Sequence, residues 1–184
     1  MRIGFCFESS KCIGCYACEI ACKQENNIRP HVDEEPGTAG PRWRRVYEYE
    51  SGIYPQVRVR YISLSCLHCA KPPCMAVCQS GAITRDNETG IITVDKSECI
   101  GCAECLSVCP FGVPQFDDDG LMEKCDLCAN RITKNQIPAC VAACPTGALN
   151  YGTLDDIAKD KGLLAGKKII SAVEPSFFIA QNHA

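Results

Sequence analysis

Aromatic residues make up only 7% of the 184-residue sequence, and tryptophan occurs once, at Trp43. Strong apolar residues are also modest in number. A conventional core is therefore thin, and something else must help hold the fold. A dominant charge is missing too: 19 Lys and Arg oppose 22 Asp and Glu, for a net −3. The densest positive patch is Arg42, Arg44 and Arg45, which reads as a solvated or partner-facing loop and argues against nucleic-acid binding. No stretch approaches the roughly 18 apolar residues of a membrane span. The longest weakly charged run, IPACVAACPTGALNYG, is broken by proline and cysteine. Met1 and Arg2 lead straight into the strand-like IGFCF, with no apolar h-region and no twin arginine, so no secretory leader is expected and the chain alone is expected to be soluble. Also missing are a catalytic His/Asp pair, a Gly-rich phosphate loop and a flavin motif.

What is abundant is cysteine: 17 residues, a level that marks a cysteine-built scaffold. Sixteen fall into four quartets. Cys12, Cys15, Cys18 and Cys22 are spaced x2, x2, x3. Cys66, Cys69, Cys74 and Cys78 are spaced x2, x4, x3. Cys99, Cys102, Cys105 and Cys109 repeat the first spacing and precede Pro110. Cys125, Cys128, Cys140 and Cys144 are spaced x2, x11, x3 and precede Pro145. Only Cys6 is left over.

Disulfides suit a small secreted scaffold, but the cysteine total is odd and the thiols sit in loops too tight to pair locally. Zinc wants two CxxC-type pairs across a longer loop, which the CxxCxxC triplets fit poorly. C-x2-C-x2-C-x3-C-P is the bacterial ferredoxin run, in which the fourth cysteine ligates the other cluster of a pair. Three thiols in a tight loop wrap three corners of one cubane, and the next cysteine, one helical turn on, points to the neighbouring cube. Sixteen cysteines account for four [4Fe–4S] clusters. At about −2 each when oxidised, these make the loaded protein clearly acidic.

The quartet tails C78-QSGAI, C109-PFGVP and C144-PTGAL are internal repeats. Gly81, Gly112 and Gly147 suit the turn from helix to strand, and Pro110 and Pro145 stop the helix. Gln79 replaces proline in the second tail, while C22-KQENN leaves the pattern for a polar surface loop over 23–41. Residues 42–63 alternate about Ser51–Gly52 and read as a hairpin; AITRDNETGIITVD, 82–95, reads as a second. LDDIAKDKGLL, 154–164, reads as a short helix. The apolar tail KKIISAVEPSFFIAQ reads as extended, either a terminal strand or a segment lying on a partner.

One compact hairpin joins Cys78 to Cys99, so quartets two and three pair, leaving one and four as the other pair. The crossing rule then gives four ligand sets: Cys12, Cys15, Cys18 and Cys144; Cys125, Cys128, Cys140 and Cys22; Cys66, Cys69, Cys74 and Cys109; Cys99, Cys102, Cys105 and Cys78. The expected fold is α+β, two nested bacterial-ferredoxin-like units with hairpin insertions. The outer unit spans 1–63 and 121–184, with the insertion at 42–63, and the inner unit spans 64–120.

The order of the quartets, RWRRVYEYESG after the first, SCLHCAKPPC in the second, MEKCDLCANRI opening the fourth and CPTGAL closing it resemble the iron–sulfur subunits of the dimethyl-sulfoxide-reductase-type molybdoenzymes, including polysulfide and thiosulfate reductases. The resemblance covers nearly the whole chain. It implies a subunit without an active site, relaying electrons between a large molybdopterin subunit, with molybdenum or tungsten, and a quinone-linked membrane anchor or other redox partner. Cys102 stands where the nitrate reductase branch has tryptophan and a three-iron cluster, so four cubanes are implied. The resemblance also places the Cys12/Cys15/Cys18/Cys144 cluster toward the large subunit and the Cys99/Cys102/Cys105/Cys78 cluster toward the anchor. In such enzymes the large subunit often carries its partner through the twin-arginine route, so the expected location is cytoplasmic, or periplasmic by co-export, with membrane association only through a partner.

Cys6, between Phe5 and Phe7, reads as a buried inert thiol rather than a spare ligand. His68, inside the second quartet, is weighed as a hydrogen-bond donor toward the cluster against plain packing or exposure. Lys124 and Arg131, flanking Cys125 and Cys128, are weighed as cations that raise a cluster's potential against ordinary surface charge. Trp43 reads as packing on the hairpin or a partner rather than bridging clusters. The rival functions are a relay serving a hydrogenase or formate-oxidising complex, a free polyferredoxin, and a zinc-stabilised interaction module. The Arg42–Arg45 loop and the apolar tail favour a fixed interface over a free carrier.

Overall fold

The computed structural model describes residues 1–28, 40–160 and 172–180. Strand β1, Ile3–Glu8, is buried at every position. It is the middle strand of a three-stranded sheet, antiparallel to β8, Leu149–Thr153, and parallel to β9, Phe177–Ala180. A middle strand covered on both faces explains IGFCFE, an unbroken apolar run rather than an alternating one. Phe5, Phe7 and Phe177 centre the main core, which extends through Leu67, Leu127 and Leu149 to Cys66, Cys69, Cys125 and Cys140. Few large side chains suffice because thiols form part of that core.

Helix α1, Ala17–Glu25, carries both Cys18 and Cys22. It packs against α5, Ala139–Ala142, which carries Cys140. Helix α2, Pro73–Ala76, carries Cys74 and packs against α3, Glu104–Ser107, which carries Cys105. Helix α4, Ala129–Ile132, follows directly on Cys128. The alternating segment forms β2, Arg45–Ser51, paired with β3, Arg58–Leu64, from Arg45↔Leu64 to Ser51↔Arg58. The second hairpin pairs β4, Ile83–Arg85, with β5, Ile92–Val94. A third, short pairing joins β6, Gln115–Phe116, to β7, Met122–Glu123, where the sequence pattern gives no strand. Ile83, Ile92, Cys105 and Met122 form a smaller core between these two hairpins and α3.

Helix α6, Leu154–Asp160, starts where expected; the rest of the 154–164 reading lies outside the described residues, as does most of the loop 23–41. In the tail, Phe177–Ala180 is a terminal strand of the chain's own sheet. Cys6 is fully buried between Ile157 of α6 and Phe178. Proline is not what these helix ends have in common. Helix α2 stops at Ala76 although Gln79 stands in the place of proline. The three tails share instead a chain reversal in which the glycine N–H reaches the cysteine carbonyl: Gly81 to Cys78 at 3.3 Å, Gly112 to Cys109 at 3.2 Å and Gly147 to Cys144 at 3.3 Å. All three glycines have positive φ.

Candidate metal centres

Quartets one and three have the same local backbone. In CIGCYAC and CIGCAEC, Gly14 and Gly101 both sit at φ 67°, and Tyr16 and Ala103 at 59° and 61°. This left-handed pair curls the loop so that its three thiols face one side. The following helix, α1 or α3, begins one residue later.

The thiols gather across quartets. Cys12, Cys15, Cys18 and Cys144 line one cavity with about 350 Å³ of empty space, walled by Phe7, Val46 and Leu149. Cys66, Cys69, Cys74 and Cys109 line a second of about 370 Å³, walled by Leu67, Ile92 and Phe111. Cys78, Cys99, Cys102 and Cys105 line a third of about 350 Å³, walled by Ile83, Phe116 and Met122. Cys22, on α1, faces Cys125, Cys140 and Cys128 from the fourth quartet. Among the described residues, no group of three or more His, Cys, Asp or Glu converges closely enough to hold a single metal ion. Thiols ringing an apolar space fit a cluster with several metal corners better than one tetrahedral zinc.

Burial and thiol crowding oppose negative charge at these sites, while hydrogen-bond donors favour it. Burial pushes the Cys69 and Cys128 thiols up to about 12 and raises Cys22 strongly, with neighbouring thiols adding to it. Without metal these groups hold protons, which iron must displace. Donors converge on sulfur. Leu127 N–H points to Cys125 Sγ and Met122 N–H to Cys99 Sγ, each at 3.4 Å. Ser63 Oγ lies 3.4 Å from Cys18 Sγ, and Asn26 Nδ2 donates to Cys22 Sγ at 3.7 Å. Cys78 and Cys144 form a matched pair. Burial raises each, but backbone N–H groups and a hydroxyl two residues on, Ser80 or Thr146, outweigh it and bring both below the usual thiol value. The sequence signal for those hydroxyls was present: two of the three tails read Cys-x-Ser/Thr-Gly, where the third has Phe111.

Arg44 is the main correction. It is not in a solvated or partner-facing loop: only 1% of it is exposed. Its Nη1 donates to Ser63 Oγ at 3.1 Å and its Nη2 to Ser65 Oγ at 2.8 Å, and the guanidinium lies 4.5 Å over the Phe5 ring. Arg42 pairs with the buried Glu19 at 3.2 Å, whose other oxygen accepts the Val46 N–H at 3.1 Å. These bonds clip the hairpin entry onto α1. Arg44 is thus buried, Arg42 is paired within the chain, and the described part of the tail pairs with β1.

Lys124 is also buried. Its Nζ donates to the carbonyls of Ile92 and, at 3.1 Å, Cys125, yet it lines the Cys66/Cys69/Cys74/Cys109 cavity. Its charge therefore acts on a different thiol set from the one it neighbours in sequence. Arg131 is ordinary surface charge, paired with Glu25 at 2.9 Å and donating to the Ile137 carbonyl at 2.8 Å. His68 is 1% exposed, and its Nδ1 accepts the Ile92 N–H at 3.0 Å. Burial, then the charges of Lys124 and Arg44, push its pKa well below the usual value, so the ring is neutral with its proton on Nε2. That N–H has no hydrogen-bond partner among the described residues. Trp43 packs in a cleft with Leu64, Leu67, Phe111 and Val113, which is the packing role expected of it.

A 4Fe-4S dicluster domain model matches residues 57–154, and a 4Fe-4S binding domain model matches residues 9–26. Among relatives, an anaerobic dimethyl sulfoxide reductase chain of Escherichia coli K12 is 40% identical over 173 residues, covering 89% of the present sequence and 80% of that relative. Thiosulfate reductase electron transfer subunit PhsB of Salmonella typhi is 39% identical over 151 residues, covering 81% and 74%. A sulfite dehydrogenase subunit of Allochromatium vinosum is 35% identical over 168 residues, covering 84% and 70%. With both iron–sulfur models matched and relatives of this identity and coverage, the chain belongs to the iron–sulfur subunits of the dimethyl sulfoxide reductase family, non-catalytic [4Fe–4S] electron-transfer subunits of oxidoreductase complexes.

Proposed function

We propose that this chain relays electrons through four [4Fe–4S] clusters between a large molybdopterin subunit, with molybdenum or tungsten, and a quinone-linked membrane anchor or other redox partner. The observation that carries this is the gathering of sixteen thiols into four sets of four, each set drawn from two quartets. The proposed ligands are Cys12, Cys15, Cys18 and Cys144; Cys22, Cys125, Cys128 and Cys140; Cys66, Cys69, Cys74 and Cys109; and Cys78, Cys99, Cys102 and Cys105. The proposed architecture is an outer ferredoxin-like unit over 1–63 and 121–184 enclosing an inner one over 64–120. The packing of α1 on α5 and of α2 on α3 supports it.

Such clusters, when bound, exchange single electrons at potentials set by hydrogen bonds, charge and exposure. The chain's own part is to fix the thiols, exclude water and set local charge. Two of the sets reach the surface: Cys15 and Cys102 are exposed, beside Ile13 at 63% and Ile100 at 67% exposure. Cys22, Cys125, Cys128, Cys140, Cys66 and Cys69 are buried. This supports the first set as the terminus facing the catalytic subunit, the Cys78/Cys99/Cys102/Cys105 set as the terminus facing the anchor, and the other two as interior stations. Among the described residues no helix is long and apolar enough to cross a membrane. We place the assembly in the cytoplasm, or in the periplasm if a twin-arginine-bearing partner exports it.

The test is metal analysis of the complex purified anaerobically with this chain. Molybdenum or tungsten is expected, with at least about sixteen irons per copy, four for each cubane. Iron alone, with no large partner, would overturn the relay-subunit reading in favour of a free polyferredoxin. A hydrogenase or formate-oxidising complex would show itself through the large subunit recovered.

A further inference from the structure

Arg44 occupies an unusual place. It is tied to the β3 end through Ser63 and Ser65 and stacked on Phe5 of β1. Among the described residues no carboxylate lies within ion-pair distance of it, and its Nε has no hydrogen-bond partner. A guanidinium this deeply buried is strongly destabilising unless negative charge compensates it. The groups that act on it are thiols from two different sets: Cys18 of the first, and Cys22, Cys125 and Cys140 of the second. Burial works against its charge, and these sulfurs outweigh the burial. Ser63, which accepts from its Nη1, also contacts Cys18 Sγ and lines the first cavity.

We infer that Arg44 is a fixed counter-charge shared by the clusters of the Cys12/Cys15/Cys18/Cys144 and Cys22/Cys125/Cys128/Cys140 sets, raising the reduction potential of both. The inference rests on the proposed ligand sets. Arginine stays protonated throughout the working pH range. When the redox partner delivers one electron to either centre, Arg44 faces one more negative charge. No bond forms or breaks, and Arg44 neither gains nor loses a proton. A positive charge in a low-dielectric interior favours the reduced member of each couple. The potentials of the two outer-unit centres are thereby moved in the same direction, upward. The contribution is independent of pH, because its source does not titrate. The other two sets lack this residue: Lys124 serves the Cys66/Cys69/Cys74/Cys109 cavity, and no buried cation is among the residues lining the Cys78/Cys99/Cys102/Cys105 cavity.

The experiment is a potentiometric EPR titration of the complex as isolated, with signals assigned beforehand through Cys144→Ser and Cys22→Ser. Arg44→Gln is expected to keep all irons and to lower the midpoints of both outer-unit clusters. A tenfold fall in the reduced-to-oxidised ratio at fixed potential, about 59 mV for a one-electron couple, is the expected order. The other two clusters should hold their midpoints. Full iron content with unmoved outer midpoints would overturn the inference, as would an equal shift of all four. Fewer than sixteen irons in the unaltered complex would instead sink the ligand sets themselves. If Arg44→Gln loses iron, Arg44→Lys decides. Full iron and near-native midpoints support a requirement for charge; iron loss there too overturns it, because the planar side chain rather than its charge would then be what the site needs.

Discussion

Cys144 lies far along the chain from Cys12, Cys15 and Cys18, yet all four line one cavity. Its sulfur is the matched counterpart of Cys78, with a hydroxyl and backbone donors converging on it. In Cys144→Ser the cluster of the first quartet's loop is expected to be lost or altered. Iron should fall by up to four atoms, from about sixteen per chain. EPR should show the Cys125/Cys128/Cys140 centre retained; loss of that centre alone would contradict the crossed ligand sets. Arg44 teaches a related lesson about single residues. In the sequence it is one of the three arginines at 42, 44 and 45, and the density of charge suggests solvent. Burial of a cation becomes affordable only when several sulfurs from two segments surround it, and no local window displays that.

The hairpins behave as elements whose turns carry their own electrostatics. In the β4–β5 turn, Asp86 Oδ1 accepts from Thr89 Oγ1 and Thr89 N–H at 2.6 Å and from Glu88 N–H at 3.1 Å. The Thr89 hydroxyl is the chief reason that its carboxyl lies below the usual aspartate value. A depressed folded pKa stabilises the turn fully above the ordinary aspartate value of about 3.9 and loses that effect as pH falls through the lower, folded value. Asp86→Asn should therefore weaken amide protection at Thr89 and Gly90 near neutrality. The difference from the native chain should close below both pKa values. Equal protection at neutrality would show that the carboxylate does not hold the turn. This hairpin was readable because Asp-Asn-x-x-Gly between two apolar runs is local chemistry. The β6–β7 pair escaped notice because two-residue strands carry no periodicity; their pairing follows from the place of Met122 in the small core.

For the molecule as a whole, one sheet ties the beginning and end of the chain together. Phe177 is 1% exposed and pairs across from Phe5. Arg2 reaches the Glu174 carbonyl at 2.9 Å and Ser176 Oγ at 2.7 Å, and Ser176 Oγ donates to the His68 carbonyl at 2.8 Å. The tail thus braces the second quartet as well as β1. Deleting residues 168–184 should destabilise the fold by at least the about 3–5 kcal/mol typical of a lost buried Phe. Cluster loss to an iron chelator should accelerate accordingly. A truncated chain that kept its clusters as long as the full chain, and failed only in partner binding, would show that the tail serves an interface instead.

The sequence alone determined the chemistry: sixteen thiols on ferredoxin spacing, repeated with the glycine turns that follow them, have few other uses. It determined the long hairpin, the β4–β5 hairpin and the buried first strand, because each is written in near neighbours through periodicity, turn residues or unbroken apolarity. Tertiary structure decided everything that depends on which segments meet. It buried Arg44 between two thiol sets, turned Lys124 to the cavity beside its sequence neighbours, left Arg131 at the surface and drew the tail into the first sheet. The physical reason is that charge and polarity are judged by surroundings. A local pattern records what a residue is, while its dielectric environment and its partners come from chain segments distant in sequence.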